Sequence, residues 1–170
     1  MLGKEMLVQR QQKVSNLDDA KSVGILYDAT NIETFNAVKD FVKQLKDLKK
    51  QVKTLGYVDS LEVKDFQQAR LDFDFFLKSG LNWYYMPGHH IVENFCNEPF
   101  DILIDLTLHP LIPQLFVLTW SKARCKVGRQ DNNFSYLLDI MIDIEKKPDL
   151  KFLQQQVLHY LTIINHPRNA

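Results

Sequence analysis

Residues 100–128 read FDILIDLTLHPLIPQLFVLTWSKARCKVG, and this stretch decides the fold. Its core, Ile102-Leu103-Ile104, is apolar, carries two β-branched residues and lies between Asp101 and Asp105. A run this short is too brief for a helix and has no polar side. It reads as a strand buried on both faces, as in a parallel sheet covered by helices. The Pro-bracketed apolar segment that follows reads as a crossover helix from Pro110 to Ser121, with Pro110 in its first turn. Lys122-Ala123-Arg124-Cys125-Lys126-Val127 then alternates, with Ala123, Cys125 and Val127 on one face of a strand. Lys122, Arg124 and Lys126, with Arg129 beyond, form the one basic cluster, expected as the solvated face of a strand near the sheet edge.

Upstream, residues 23–27 (VGILY) are a second buried strand, ended by Asp28-Ala29-Thr30. Thr30 is expected to cap the following helix, with Glu33 completing a capping box. That helix places Ile32, Phe35, Val38, Val42, Leu45 and Leu48 inward and Glu33, Lys39, Lys43, Lys46 and Lys50 outward. Residues 52–58 (VKTLGYV) complete a βαβ unit. Residues 71–76 (LDFDFF) read as a short strand, 78–88 (KSGLNWYYMPG) as an aromatic loop, and 89–96 as a short helix ended before Pro99. Downstream, 137–144 (LLDIMIDI) is a strand. Residues 150–164 are a last amphipathic helix with Phe152, Leu153, Val157, Leu161 and Ile164 inward.

Alternating β and α elements imply a three-layer α/β sandwich of Rossmann-like type, with a mainly parallel central sheet. The strands at Val23 and Ile102 are expected side by side at its centre, with the topological switch between them. The division reads as an N-terminal arm (1–21), a single α/β domain (22–165) and a C-terminal tail (166–170).

The 170 residues suffice for one domain with a real core. With 21 basic and 21 acidic residues the net charge is zero, which speaks against a dedicated nucleic-acid binder and removes one barrier to self-association. Two cysteines, Cys96 and Cys125, make no disulfide framework and read as buried reduced thiols. The longest apolar run, 111–120, is too short to span a membrane, and the N-terminus lacks the pattern of a secretory signal. A cytoplasmic location is expected.

The switch-point crevice is the default ligand site of such a sheet. Asp28, Thr30 and Asn31 would line it from the first strand, and Thr107 and His109 from the central one. There is no GxGxxG and no GxxxxGK[ST], so nothing provides for close backbone approach to a pyrophosphate. His89, His90, Cys96 and His109 have no metal-site spacing, and no metal or cofactor is expected. Ser121 and Ser135 lack a nucleophile elbow. Asp101 and Asp105 point to the same face roughly 13 Å apart, too far for a coupled dyad. No catalytic residue is assigned. Three consecutive aromatics, Trp83, Tyr84 and Tyr85, in a Gly/Pro loop read either as an interaction surface or as a cap on the core.

The segments SVGILYDA, GLNWYYMPG, FDILIDLT, SKARCKVGR and YLLDIMIDI together resemble a family of short uncharacterised Bacteroidetes proteins, a domain of unknown function, over residues 22–165. That resemblance implies no activity. FDILIDLT with the following helix and the strand ending at Gly128 is also similar to the N-terminal half of heptosyltransferase-type glycosyltransferases. The Gly-Asp motif of that family is absent here, where Asp28-Ala29-Thr30 stands, and a second domain has no room. The leading expectation is a non-enzymatic binding module that acts as a homodimer or with a protein partner. The alternative is a single-domain relative of a sugar-nucleotide transferase, holding an anionic ligand at the crevice.

Overall fold

The computed structural model describes residues 8–164. Six strands, β1 (Ser22–Asp28), β2 (Gln51–Val58), β3 (Phe73–Leu77), β4 (Ile102–Asp105), β5 (Cys125–Arg129) and β6 (Ile140–Ile142), form one sheet in the order β3-β2-β1-β4-β5-β6. Every neighbouring pair is parallel. Four helices, α1 (Ile32–Asp47), α2 (His90–Asn97), α3 (Ile112–Trp120) and α4 (Leu150–Ile163), cover it. This is the three-layer, Rossmann-like arrangement expected from the alternation of elements.

The two faces follow from the period of two along each strand. Val23, Ile25, Tyr27, Ile102, Ile104, Cys125 and Val127 pack with α1 and α4 on one side. Leu26, Leu55 and Leu103 pack with α2 and α3 on the other. β1 and β4 are neighbours, paired from Val23↔Ile102 to Leu26↔Asp105. The chain therefore reverses its direction of travel across the sheet between them, and the crevice at their C-terminal ends is the switch point.

Local readings differ from the structure where a neighbour overrides the pattern. Asn31, not Thr30, caps α1, accepting from the Thr34 N–H at 2.8 Å. Ile32 in α1 and Leu48 just past its end are exposed, and Phe41 joins the buried face. Pro113, not Pro110, sits in the first turn of α3. β6 is three residues long, because Leu137 ends a short 3₁₀ turn instead of starting the strand.

The largest correction concerns the basic cluster. β5 does lie near the sheet edge, next to the outermost strand β6, but the face bearing Lys126 is covered by α3 and not by solvent. Lys126 is 1% exposed and donates from Nζ to the Leu118 carbonyl near the end of α3. Burial, helped by the Arg10 charge, lowers its pKa to about 8. Arg124 pairs with Asp101 at 3.4 Å and Arg129 with Asp131 at 3.0 Å. Arg10 donates to the Ala123 and Arg124 carbonyls and to Asp139, and Leu17 reaches the core, so residues 8–21 lie bonded along the domain. The tail 166–170 and the first seven residues of the arm fall outside the described residues.

Candidate functional site

Two turns of one design meet at the switch point. β1 ends in Asp28, whose Oδ1 accepts from the N–H and the hydroxyl of Thr30 at 2.9 and 2.5 Å. β4 ends in Asp105, whose Oδ1 accepts from the N–H and the hydroxyl of Thr107 at 3.0 and 2.6 Å. An aspartate that bonds the backbone two residues on turns the chain without glycine, so each strand ends where its Asp-x-Thr stands. The β1 turn is tied further: Thr30 Oγ1 accepts from the Asp59 N–H at 3.0 Å, and Gln67 donates to the Ala29 carbonyl at 2.8 Å.

Of the five residues expected at the crevice, Asp28, Asn31, Thr107 and His109 line one cleft of about 150 Å³, with Leu150 also in its lining. Thr30 is not part of the lining. Asn31 and Thr107 spend their side chains on the cap and the turn, and His109 is exposed. Ligand pockets for drug-sized molecules start near about 300 Å³, so the cleft is small for a nucleotide sugar. Its Asp28 carboxylate also faces any anion that enters.

A neighbouring group escaped the sequence reading. Asp105, Thr107, Gln114, Arg129 and Asp131, with a larger set of apolar residues that includes Leu115, Leu118 and Phe134, line a cavity of about 30 Å³ between the ends of β4 and β5 and the start of α3. Burial pushes the Asp105 carboxyl up to about 6, against the bonds from Thr107 and the Arg129 charge. A shifted carboxyl in a cleft is a physical marker of functional sites. Gln114, 1% exposed, donates from Nε2 to the Tyr27 carbonyl at 2.5 Å, while its Oε1 is buried without a partner. Arg129 Nε is buried without a partner as well. One signal was available: Gln114 is the lone amide in the otherwise apolar run LIPQLFVL, where only a buried hydrogen bond makes it tolerable.

The aromatic loop lies elsewhere, between β3 and α2. Trp83, Tyr84 and Tyr85 are 81%, 60% and 51% exposed, which places them outside the core. Asn82 holds the loop, its side chain accepting from the Tyr84 and Met86 N–H groups, each at 3.0 Å. The Trp83 and Tyr84 rings lie 4.1 Å apart, and Tyr85 is held at φ 63°, a strained left-handed backbone. Beside the loop, Phe75, Phe76, Leu77, Pro87 and Ile91 line a cleft of about 200 Å³. His89 caps α2 through Nδ1 and stacks on His90. Among the described residues no group of three or more His, Cys, Asp or Glu is placed to hold a metal. The Cys96 thiol, against the Val117 carbonyl, is pushed up to about 12 by burial, so it is not a nucleophile at neutral pH.

Fold and site together define a doubly wound, all-parallel α/β protein without a glycine-rich phosphate loop. Its sheet carries paired Asp-x-Thr turns at the switch point. Within that class the chain belongs to a family of unknown function, DUF6913, whose family model matches residues 2–164. No curated protein and no solved structure matches the chain. No helix among the described residues is long and apolar enough to cross a membrane.

Proposed function

We propose that the protein is a non-enzymatic interaction module that pairs with a second copy of itself through the aromatic loop. The observation that carries this reading is the exposure of Trp83 and Tyr84 on a backbone already fixed by Asn82. Exposed aromatics held rigid lose little conformational entropy on binding, which is why such residues dominate interface energetics. The adjoining apolar cleft of about 200 Å³ is the size for a side chain and small for a drug-like ligand. A projecting indole beside an apolar cleft is the self-complementary patch a two-fold dimer needs, each copy filling the other's cleft. Zero net charge leaves no overall repulsion between copies.

Sedimentation of the full chain across a concentration series tests this. Wild type is expected to dimerise with rising concentration, and Trp83→Ala to stay monomeric with an unchanged melting temperature. A wild-type chain that stays monomeric at millimolar concentration, or a dimer indifferent to Trp83→Ala, ends the proposal.

The transferase-like alternative has less support. Its crevice is small, and its lining holds the Asp28 carboxylate and no lysine or arginine.

A further inference from the structure

Residues 8–14 form no helix or strand, yet they lie pinned along the start of β5. β6 joins β5 only at Val127, so the carbonyls just before β5 need other partners. Arg10 supplies them, donating from Nη1 to Ala123 at 3.1 Å and to Arg124 at 2.8 Å. The Lys13 N–H also donates to the Arg124 carbonyl, at 3.0 Å. Arg10 Nη2 and the Gln12 amide both donate to Asp139 Oδ1, at 2.7 and 3.0 Å. At the far end of the segment, Val8 donates to the Thr119 carbonyl of α3 at 3.4 Å. There Val8 forms part of the wall of a cleft of about 490 Å³, with Val92, Trp120 and Lys122.

The charges around this segment do not balance. The Arg10 and Asp139 side chains are 10% and 11% exposed, and Lys126, 1% exposed, is charge-coupled to both. Asp139 Oδ2 accepts from the Lys126 N–H at 2.8 Å. Two cations thus share one carboxylate largely out of water. The other titratable group coupled to Lys126 is Cys96 of α2, whose thiol stays protonated, and α3 meets the ammonium with the Leu118 carbonyl. Taking Arg10 out of this cluster lets the lysine hold its proton more tightly, so docking of the segment and protonation of Lys126 oppose each other, and linkage makes the opposition reciprocal. We propose that residues 8–14 are a releasable strap, gripped more tightly when Lys126 is neutral and loosened when it is protonated. Burial, then the Arg10 charge, lower the lysine in the strapped protein to about 8. The strapped form therefore binds fewer protons than the released form above about pH 8, and the grip strengthens as pH rises through that window. Release also takes Val8 from the wall of the cleft, so the same step alters access to it. The strap uses neither Trp83 nor Tyr84 and does not depend on dimerisation.

The test is trypsin cleavage after Lys13 in the full chain, from about pH 7 to about pH 10, because cleavage tracks the population of the opened segment when opening is fast. Lys126→Met removes the titrating charge, and its rate at each pH is the reference that cancels the pH response of trypsin itself. The wild-type rate relative to Lys126→Met is expected to fall as pH rises past about 8, by about tenfold for each pKa unit that the strap takes from the lysine. A second reading follows the ¹³Cε resonance of Lys126 against pH, whose midpoint is expected to move up in Arg10→Gln. Folding of each variant is checked by its melting curve, and either reading decides alone if the other's variant fails to fold. A relative cleavage rate that stays flat across the range overturns the proposal. A Lys126 midpoint unmoved by Arg10→Gln overturns it equally.

Discussion

The turns Asp28-Ala29-Thr30 and Asp105-Leu106-Thr107 carry the same hydrogen bonds on adjacent strands, yet they are different chemical objects. Leu26↔Asp105 pairing sets the first turn two residues further along than the second. Asp28 is consequently half-buried at the rim, while Asp105 is only 9% exposed beneath α3. A glycine stands across from each motif, Gly56 opposite Tyr27 and Gly128 opposite Asp105. The comparison teaches that a local motif fixes backbone geometry, while depth in the sheet decides what its carboxylate can do.

The widest contrast comes from the glycines. A Cβ at Gly56 would lie 2.6 Å from Ala29 Cβ and 2.9 Å from the Tyr27 ring, and neither can retreat from the packed centre. Gly56→Ala is expected to cost about 3 kcal/mol, at the upper end of ordinary overpacking. At Gly128 the nearest atoms are at 3.2 Å, so Gly128→Ala should cost clearly less. Urea unfolding of both variants checks the order, and equal costs would mean that the two turns are equally confined.

Asp105→Asn gives the next effect, with the opposite sign. A carboxyl raised in the folded state holds its proton more tightly there, so it favours folding below its unfolded pKa near 4 and loses that contribution as pH rises through about 6. Two pKa units correspond to about 3 kcal/mol. Asparagine keeps an oxygen for Thr107 and carries no charge. Asp105→Asn is expected to be the more stable protein at pH 7 by about 2–3 kcal/mol, with the difference shrinking towards pH 4. Asp28→Asn should change stability at pH 7 by no more than about 0.5 kcal/mol. Paired melting curves from pH 4 to 7 decide it, and the wild-type slope alone does not, because Asp101 and Asp131 are shifted downwards. At Asp101 the bonds from Lys21 and Ser22 and the Arg124 charge outweigh the effect of burial.

The hydroxyls sharpen the contrast. Thr107→Val removes a buried donor from a charged acceptor and should cost about 2 kcal/mol at pH 7, less at pH 4. Thr30→Val removes the corresponding bond nearer to solvent and also the acceptor of the Asp59 N–H, and should cost about 1–2 kcal/mol. Last comes the cap beside the first turn, where Asn31→Ala should cost about 1 kcal/mol by leaving the Thr34 N–H to water.

Much of the fold was legible because period and length are local properties. A short apolar run such as Ile102-Leu103-Ile104 permits only a strand covered on both sides, and α1 and α4 show their inner faces at helical spacing. The site was less legible. The turns around Asp28 and Asp105 could be placed at the crevice, but Thr30 was taken for a cap because hydroxyl and amide side chains compete for the same role, and Asn31 won. Lys126 read as solvated because alternation shows which residues share a face, and nothing in it says what covers that face. Gln114, Arg129 and Asp131 are close only after β4, β5 and α3 have packed.

By itself, the sequence determined the element order, the parallel sheet, the end of β1 at Asp28-Ala29-Thr30 and the aromatic loop, since each rests on backbone preferences or patterns within a few residues. Tertiary structure alone decided that β6 covers the edge of β5, that Lys126 is buried, and that Asp105 holds its proton to about pH 6. It also decided that Gln114 Oε1 and Arg129 Nε are buried without a partner. The physical reason is the same in each case: burial and electrostatic environment are set by chains distant in sequence, and a residue's charge state follows its surroundings.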